Sequence, residues 1–298
     1  MGYNFTNWYQ VKENAKILIV EKEVKNLEEY KNQKYDYIYL NGTLENTENG
    51  MECLKFFKEL LNEDGTLFIA VDNKIGVKYL VGDKSEHCIN IYDSLKNHFS
   101  NGRLFSKNEL DKIIEKIGFS YKRYYYPLPN YENPNVIFTD KYLPDKNDSK
   151  LNYNVIYNEG SLVLQDEITL LKLFIEQNRF VQFTNSYIIE LSNKEINDDI
   201  KYYSFNNMRK DRYSLILKMD NEYVKKYPKT NEAKQHINDI NENSKRLREL
   251  GFYIAEENEE DIVKSKFINM ELLDKQIINT IENKQISLAY EFIDDWYK

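Results

Sequence analysis

The sequence predicts an α/β fold: a short, mostly parallel sheet with an antiparallel hairpin at its edge, followed by a smaller α+β module. Three observations lead there. Short continuous apolar runs alternate with helical stripes through the first half, the pattern of buried strands joined by crossovers. Two β-rich runs then flank a proline-marked loop. Finally, the polar stretch Pro144-Asp-Lys-Asn-Asp-Ser-Lys150 is rich in turn formers and divides the chain into 1–147 and 148–298.

The elements follow in order. Ala15-Lys-Ile-Leu-Ile-Val20 is short and apolar enough for a buried parallel strand. Val24 to Asn32 has apolar residues at helical spacing, and Tyr35 to Leu40 is the next strand, ending at Asn41-Gly42. Met51, Leu54, Phe57, Leu60 and Leu61 form one helical stripe, which Asn62-Glu-Asp-Gly65 should stop, with Gly65 as a left-handed cap. Thr66 to Val71 is the third strand, and direct parallel pairing of the three is expected. Ser106-Lys-Asn-Glu109 is a capping box opening a helix with Leu110, Ile113, Ile114 and Ile117 on its core face, closed by Gly118. Tyr121 to Tyr126 and Val136 to Thr139 make the hairpin around Pro127 to Pro134.

In the second half, Leu162 to Phe174 reads as an amphipathic helix. Phe180 to Leu191, Ile200 to Phe205, Tyr213 to Met219 and Glu222 to Lys226 read as strands, with a tight turn at Asp220-Asn221. A long helix from Asn231 to Leu250 ends at Gly251, and Ile286 to Tyr297 carries a last helical stripe.

Composition excludes several classes. A net charge of −8 argues against a broad nucleic-acid surface. No run approaches 18 apolar residues and no cleaved leader is evident, so a cytoplasmic protein without membrane insertion is expected. Cys53 and Cys88 make no disulfide framework, and the Glu86-His87-Cys88 run lacks further ligands at zinc spacing, so no metal is expected. The 25 tyrosines accompany many Asn, Lys and Ile and few Gly, Pro and Ala, a genome-wide bias rather than a sugar-binding signature.

Glycine spacing is the sharper filter. The closest pair, Gly76 and Gly82, lies six residues apart. Dinucleotide and adenosine loops need G-x-G, the P-loop needs glycines five apart before Lys, and a kinase lid needs G-x-G-x-x-G. None of these is present.

The stretch from Tyr35 to Pro144 nevertheless resembles the later part of class I methyltransferases that use S-adenosylmethionine. More narrowly, it resembles methyltransferase-like proteins of bacterial surface-polysaccharide clusters. The residues are Tyr35-Asp-Tyr-Ile-Tyr-Leu-Asn-Gly-Thr-Leu-Glu45, Leu60-Leu-Asn-Glu-Asp-Gly-Thr-Leu-Phe-Ile-Ala-Val71, Asp72-Asn-Lys-Ile-Gly-Val-Lys-Tyr-Leu-Val-Gly82, Arg103 to Leu110, and Tyr125 to Tyr131. The resemblance implies a shortened Rossmann-like, methyltransferase-type sheet.

The departure from that family lies upstream. Strand one should end in an acidic residue and a G-x-G loop for the cofactor, followed by a further strand and helix. Here only fourteen residues, Glu21 to Lys34, separate the first two strands. One crossover alone takes about a dozen residues, so two βα units cannot fit. A degenerate methyltransferase-family protein is expected, without a cofactor and acting by binding in surface-glycan assembly. The alternative is an active transferase holding S-adenosylmethionine by an atypical route. In either case ligands gather at the carboxyl ends of the parallel strands, which makes Asn41, Gly42, Glu45, Asp72 and Asn73 the candidate ligand-binding residues.

Tyr213 to Lys218, Glu222 to Pro228 and Glu232 to His236 resemble the small lobe of kinase-like phosphotransferases. There a strand lysine and a helix glutamate grip phosphates, which implies Lys226 and Glu232 as phosphate-site candidates. An ordinary solvated lysine is the alternative. Half a methyltransferase sheet leaves an edge uncovered. A homodimer or a polysaccharide-pathway partner is therefore expected.

Overall fold

The computed structural model describes residues 5–22, 30–31, 33–196, 199–205, 215–220, 223–250, 256–259, 262–266, 278 and 282. They build one continuous sheet of eleven strands in the order β1 (Ile17–Val20), β2 (Tyr35–Asn41), β3 (Leu61–Asp72), β6 (Ser186–Ser192), β4 (Tyr121–Leu128), β5 (Val136–Thr139), β7 (Tyr202–Phe205), β8 (Leu215–Met219), β9 (Tyr223–Pro228), β11 (Ile262–Lys266) and β10 (Glu256–Glu259). The α/β class predicted from the sequence is the one observed, but the sheet is mixed: among the described residues only β1–β2 and β2–β3 pair parallel, and the other neighbours pair antiparallel.

The first three strands pair as expected. β1 (Ile17–Val20) runs parallel to β2 (Tyr35–Asn41), with Val20 opposite Leu40. β2 in turn runs parallel to β3 (Leu61–Asp72), with Leu40 opposite Ile69. Most of the predicted Val24 to Asn32 crossover lies outside the described residues. Gly65 caps no helix: α1 (Gly50–Glu59) ends at Leu60, and the chain enters β3 at once, with Gly65 inside that strand.

β4 (Tyr121–Leu128) and β5 (Val136–Thr139) form the predicted antiparallel hairpin, but inside the sheet and not at its edge. All four β5 residues and the last six of β4 are buried. Strands covered on both faces sit most readily where both edges are also paired. On one side the hairpin meets β7 (Tyr202–Phe205). On the other lies β6 (Ser186–Ser192), wedged antiparallel between β3 and β4, with Ile189 opposite both Ile69 and Tyr124. The division expected at 147–148 therefore marks no break in the sheet, because β6 lies beyond it in sequence.

Two other boundaries shift for local reasons. The expected strand from Phe180 to Leu191 splits into a helical turn, α5 (Phe180–Phe183), and β6. Asn185 sits at the break, accepting from the Lys78 N–H and donating to Glu167 and the Pro129 carbonyl. The helix expected from Leu162 begins only at Glu167, as α4 (Glu167–Glu176), because the Asp166 carboxylate caps the Thr169 N–H at 2.6 Å. Leu162 and Leu164 instead donate backbone hydrogen bonds to Gly82 and Val81.

The sheet continues through a meander of β7, β8 (Leu215–Met219) and β9 (Tyr223–Pro228). Helix α6 (Asn231–Glu249) follows. β10 (Glu256–Glu259) and β11 (Ile262–Lys266) then form a hairpin, and β11 lies beside β9. The predicted terminal helix falls outside the described residues.

Alternation along the strands divides the core between two faces. Leu67, Ile69, Val71, Ile189 and Leu191 pack with Leu54 and Phe57 of α1 and with Leu110 and Ile114 of α3 (Lys107–Ile117). Phe68, Ala70, Ile188, Tyr125 and Ile137 face the other way, against Phe5 and Trp8 of the N-terminal segment. Phe5 stacks on Tyr39 at 4.9 Å, and Trp8 meets Tyr125 and Tyr203 edge-on. An aromatic strap thus covers this face of the sheet. No helix among the described residues is long and apolar enough to cross a membrane.

Candidate functional site

The carboxyl ends of β2 and β3 carry a dense polar cluster. Glu45, in the 3-10 turn after β2, is buried, and its carboxylate accepts from the Asp72 backbone N–H at the end of β3. Its second oxygen faces His87 Nε2 at 3.3 Å. Asp72 holds the Lys78 ammonium at 2.5 Å and the Tyr79 hydroxyl at 2.8 Å. Those two partners lie on the short helix α2 (Val77–Leu80), which turns the chain back over the strand ends.

Not all the predicted residues converge here. Glu45 and Asp72 do. Gly42 lies under Tyr131 at φ 67°, and a Cβ there would sit 2.7 Å from the Tyr131 hydroxyl, so glycine allows the phenol this close. Asn41 turns outward to hold Glu21 at 2.8 Å. Asn73 points away from the pocket: it is fully buried and donates to the Gln182 and Thr184 carbonyls. Lys226 lies on β9 and Glu232 in the first turn of α6.

Residue spacing alone singles out neither His87, which lacks further ligands at zinc spacing, nor Lys78, Tyr79, Asp83 and Tyr131. A signal was available in Val77-Lys-Tyr-Leu-Val81, where a lysine stands inside an apolar run. Its partner six residues upstream is reached only through the reversal at α2. Asp83 is buried too, and its carboxylate accepts from the Asn158 N–H at 2.9 Å and the Ser161 hydroxyl at 2.6 Å. The second half of the chain thereby contributes the loop that closes over the strand ends.

The electrostatics follow from burial amid carboxylates. Burial raises the Glu45 carboxyl to about 7, the neighbouring Asp72 carboxylate adds to the rise, and hydrogen bonds from His87 and Asp72 only partly offset it. Burial alone would lower His87, but the hydrogen bond and charge of Glu45, then the charges of Glu86 and Asp72, raise it. Burial would likewise lower Lys78, and Asp72 reverses the sign. The Tyr79 and Tyr131 phenols are pushed well up by burial and then by the surrounding carboxylates. The cluster therefore retains a proton between Glu45 and His87 near neutrality, beside an ammonium.

Glu45, Glu86 and His87 bring possible metal-ligand atoms within 4.8 Å of one another. The donor set favours a proton over a metal. A metal-bound imidazole ordinarily donates its other N–H to an acceptor, whereas His87 Nδ1 is buried with no partner among the described residues. Lys22 also already bridges Glu86 at 2.9 Å and Glu132 at 3.1 Å. What remains open is a pocket of about 60 Å³ between Lys22, Asp72, Asp83, Tyr131 and Asn158.

No protein-family model matches the chain. By sequence it is similar to carnosine N-methyltransferase 2 of Gallus gallus, 26% identical over 126 residues. That match takes in 42% of this chain and 35% of the relative, so the chain spans about a third of the relative's length. Among solved structures, it matches an S-adenosylmethionine-dependent methyltransferase of Thermotoga maritima, described as a possible histamine N-methyltransferase. The TM-score is 0.30 at 13% identity, over 54% of this chain and 57% of that one. A second such methyltransferase, from Archaeoglobus fulgidus, gives 0.32 at 16% identity, over 57% and 66%. At these scores the structural likeness carries no argument about activity. The chain is methyltransferase-like in sequence over 126 residues, around an α/β sheet whose first three strands are parallel.

Proposed function

We propose that this chain is a methyltransferase-like binding protein that transfers no methyl group. One observation carries the reading: the end of β1, where the family would place its cofactor loop, is occupied by the chain's own side chains. Glu21 is held by Asn41, and Lys22 is clamped between Glu86 and Glu132. The pocket beyond them, about 60 Å³, is far below the roughly 300–1,000 Å³ of cofactor-sized sites. It has room for a group of a few atoms, with the Tyr131 hydroxyl and the Asn130 and Asn158 amides within reach. Placement in surface-glycan assembly rests on the residue resemblance, the cytoplasm on the two cysteines that make no disulfide framework, and a second copy or a pathway protein as partner on the uncovered sheet edge.

Titration with S-adenosylmethionine tests this. A ligand at one hundred times its dissociation constant stabilises by about 2.7 kcal/mol. No rise in the unfolding midpoint at millimolar cofactor, and no saturable heat, is the expected outcome. The rival reading, an active transferase, draws on the likeness to carnosine N-methyltransferase 2. It would be established by saturable cofactor binding together with methylated carnosine detected by mass spectrometry.

A further inference from the structure

A larger cleft lies away from the strand ends, where the N-terminal segment crosses β8 and β9. Its volume is about 440 Å³, inside the roughly 300–1,000 Å³ range of small-molecule sites. Ile216 and Tyr227 are cross-strand partners and share a face, and Lys218 lies on that same face two residues along. Trp8 and Tyr9 form the facing wall, and Lys229 lines the end of β9.

We propose that this cleft binds a phosphate-bearing ring compound, a sugar phosphate or a nucleoside phosphate. The walls supply the ring site. Trp8 is wedged edge-on against Tyr125 and Tyr203, and the Tyr9 hydroxyl is fixed on the buried Glu190 carboxylate at 2.6 Å. Both rings are therefore held before any ligand arrives, which lowers the ordering cost of binding. Trp8 is buried and backs this wall, while the half-buried Tyr9 and Tyr227 rings, beside polar groups, suit a sugar or base face.

The charges supply the phosphate site. Lys218 and Lys229 line the cleft, and no carboxylate does among the described residues. Burial pulls Lys229 below the ordinary lysine range, and a dianion bound beside it would act in the opposite direction. The pocket at the strand ends has the opposite character, with Asp72, Asp83, Glu86 and Glu132 around two lysines, and would repel a phosphate. Nothing in the residue spacing announces the cleft, because its walls come from positions about two hundred apart.

The test is calorimetric and thermal-shift titration of the full chain with glucose 1-phosphate and with adenosine monophosphate. Glucose, adenosine and inorganic phosphate serve as comparison ligands. At least one phosphorylated compound should bind saturably, with its parent and inorganic phosphate weaker by about tenfold or more. The double variant Lys218→Met, Lys229→Met should lose about tenfold or more in affinity while keeping its unliganded melting point. Lys229→Met alone serves if the double variant does not fold. Absence of saturable binding by both compounds, equal binding of inorganic phosphate, or unchanged affinity in the folded lysine variant would overturn the proposal. S-adenosylmethionine carries no phosphate, so this result is independent of the cofactor titration.

Discussion

Glu45 is the residue on which the polar cluster turns. It joins the end of β2 to the end of β3 and faces His87, with almost no exposure of its own. Glu45→Ala should destabilise the fold by about 3 kcal/mol or more, since it leaves a buried N–H and a buried imidazole without their partner. A denaturant titration reads this directly. The pH dependence has a definite sign. Glu45 holds its proton to about 7 in the fold, against about 4.3 in an unfolded chain. His87 is raised above its unfolded value of about 6.5. The folded state therefore binds more protons, and stability falls as pH rises from about 4.5 through neutrality. Glu45→Gln should flatten that slope in melting-point measurements; a slope unchanged by the variant would contradict the assignment. Glu45 and Asp72 were legible as strand-end residues of a parallel sheet. Asn73 was not legible as a buried latch, because its two carbonyl partners lie over a hundred residues away.

Among the elements, α3 shows what a short motif can fix. The Ser106 to Glu109 capping box was legible, and the structure has it. The Glu109 carboxylate accepts from the Ser106 N–H at 2.8 Å and its hydroxyl at 2.7 Å, and Gly118 closes the helix at φ 74°. Burial works against this carboxylate, but Lys74, Ser106 and Arg103 outweigh it and hold the group down to about 2. The cap's contribution is therefore complete above about 4.5 and is lost as pH falls towards 2. Acid unfolding of Glu109→Gln should show a smaller loss between pH 4.5 and 2 than the parent, followed by circular dichroism. Elements decided by distant contacts were less legible. The first four residues of the Phe180 to Leu191 run, Phe-Val-Gln-Phe, form a helical turn, and the hairpin moved from edge to interior. Local apolar pattern sets whether a strand is buried, not which neighbour lies beside it.

At the scale of the whole molecule, parallel pairing of β1, β2 and β3 followed from apolar runs and the short connection between them. The uncovered surface was expected at a sheet edge, and β1 is indeed an edge strand of four residues. Exposed apolar side chains also lie elsewhere, among them Ile156, Leu162 and Leu164, which are 82%, 58% and 64% exposed. Backbone bonds from Leu162 and Leu164 to Gly82 and Val81 hold this segment in place. If the chain works with a second copy, light scattering at micromolar concentration should give a mass above the monomer. Leu162→Asp with Leu164→Asp should return it to the monomer without lowering the melting point.

The position of β6 also governs how the chain can be made. A strand that completes the middle of the sheet emerges from the ribosome only after β4 and β5 have already been synthesised. Until residue 192 is free, β3 and β4 each present an unpaired buried edge with no neighbour to meet. Early collapse therefore has to keep a slot open for a late arrival, and such non-local pairing is expected to slow folding and prolong the exposure of unpaired strand edges. A fragment covering 1–147 should accordingly be insoluble or unfolded, whereas one extended past residue 205 should gain cooperative melting.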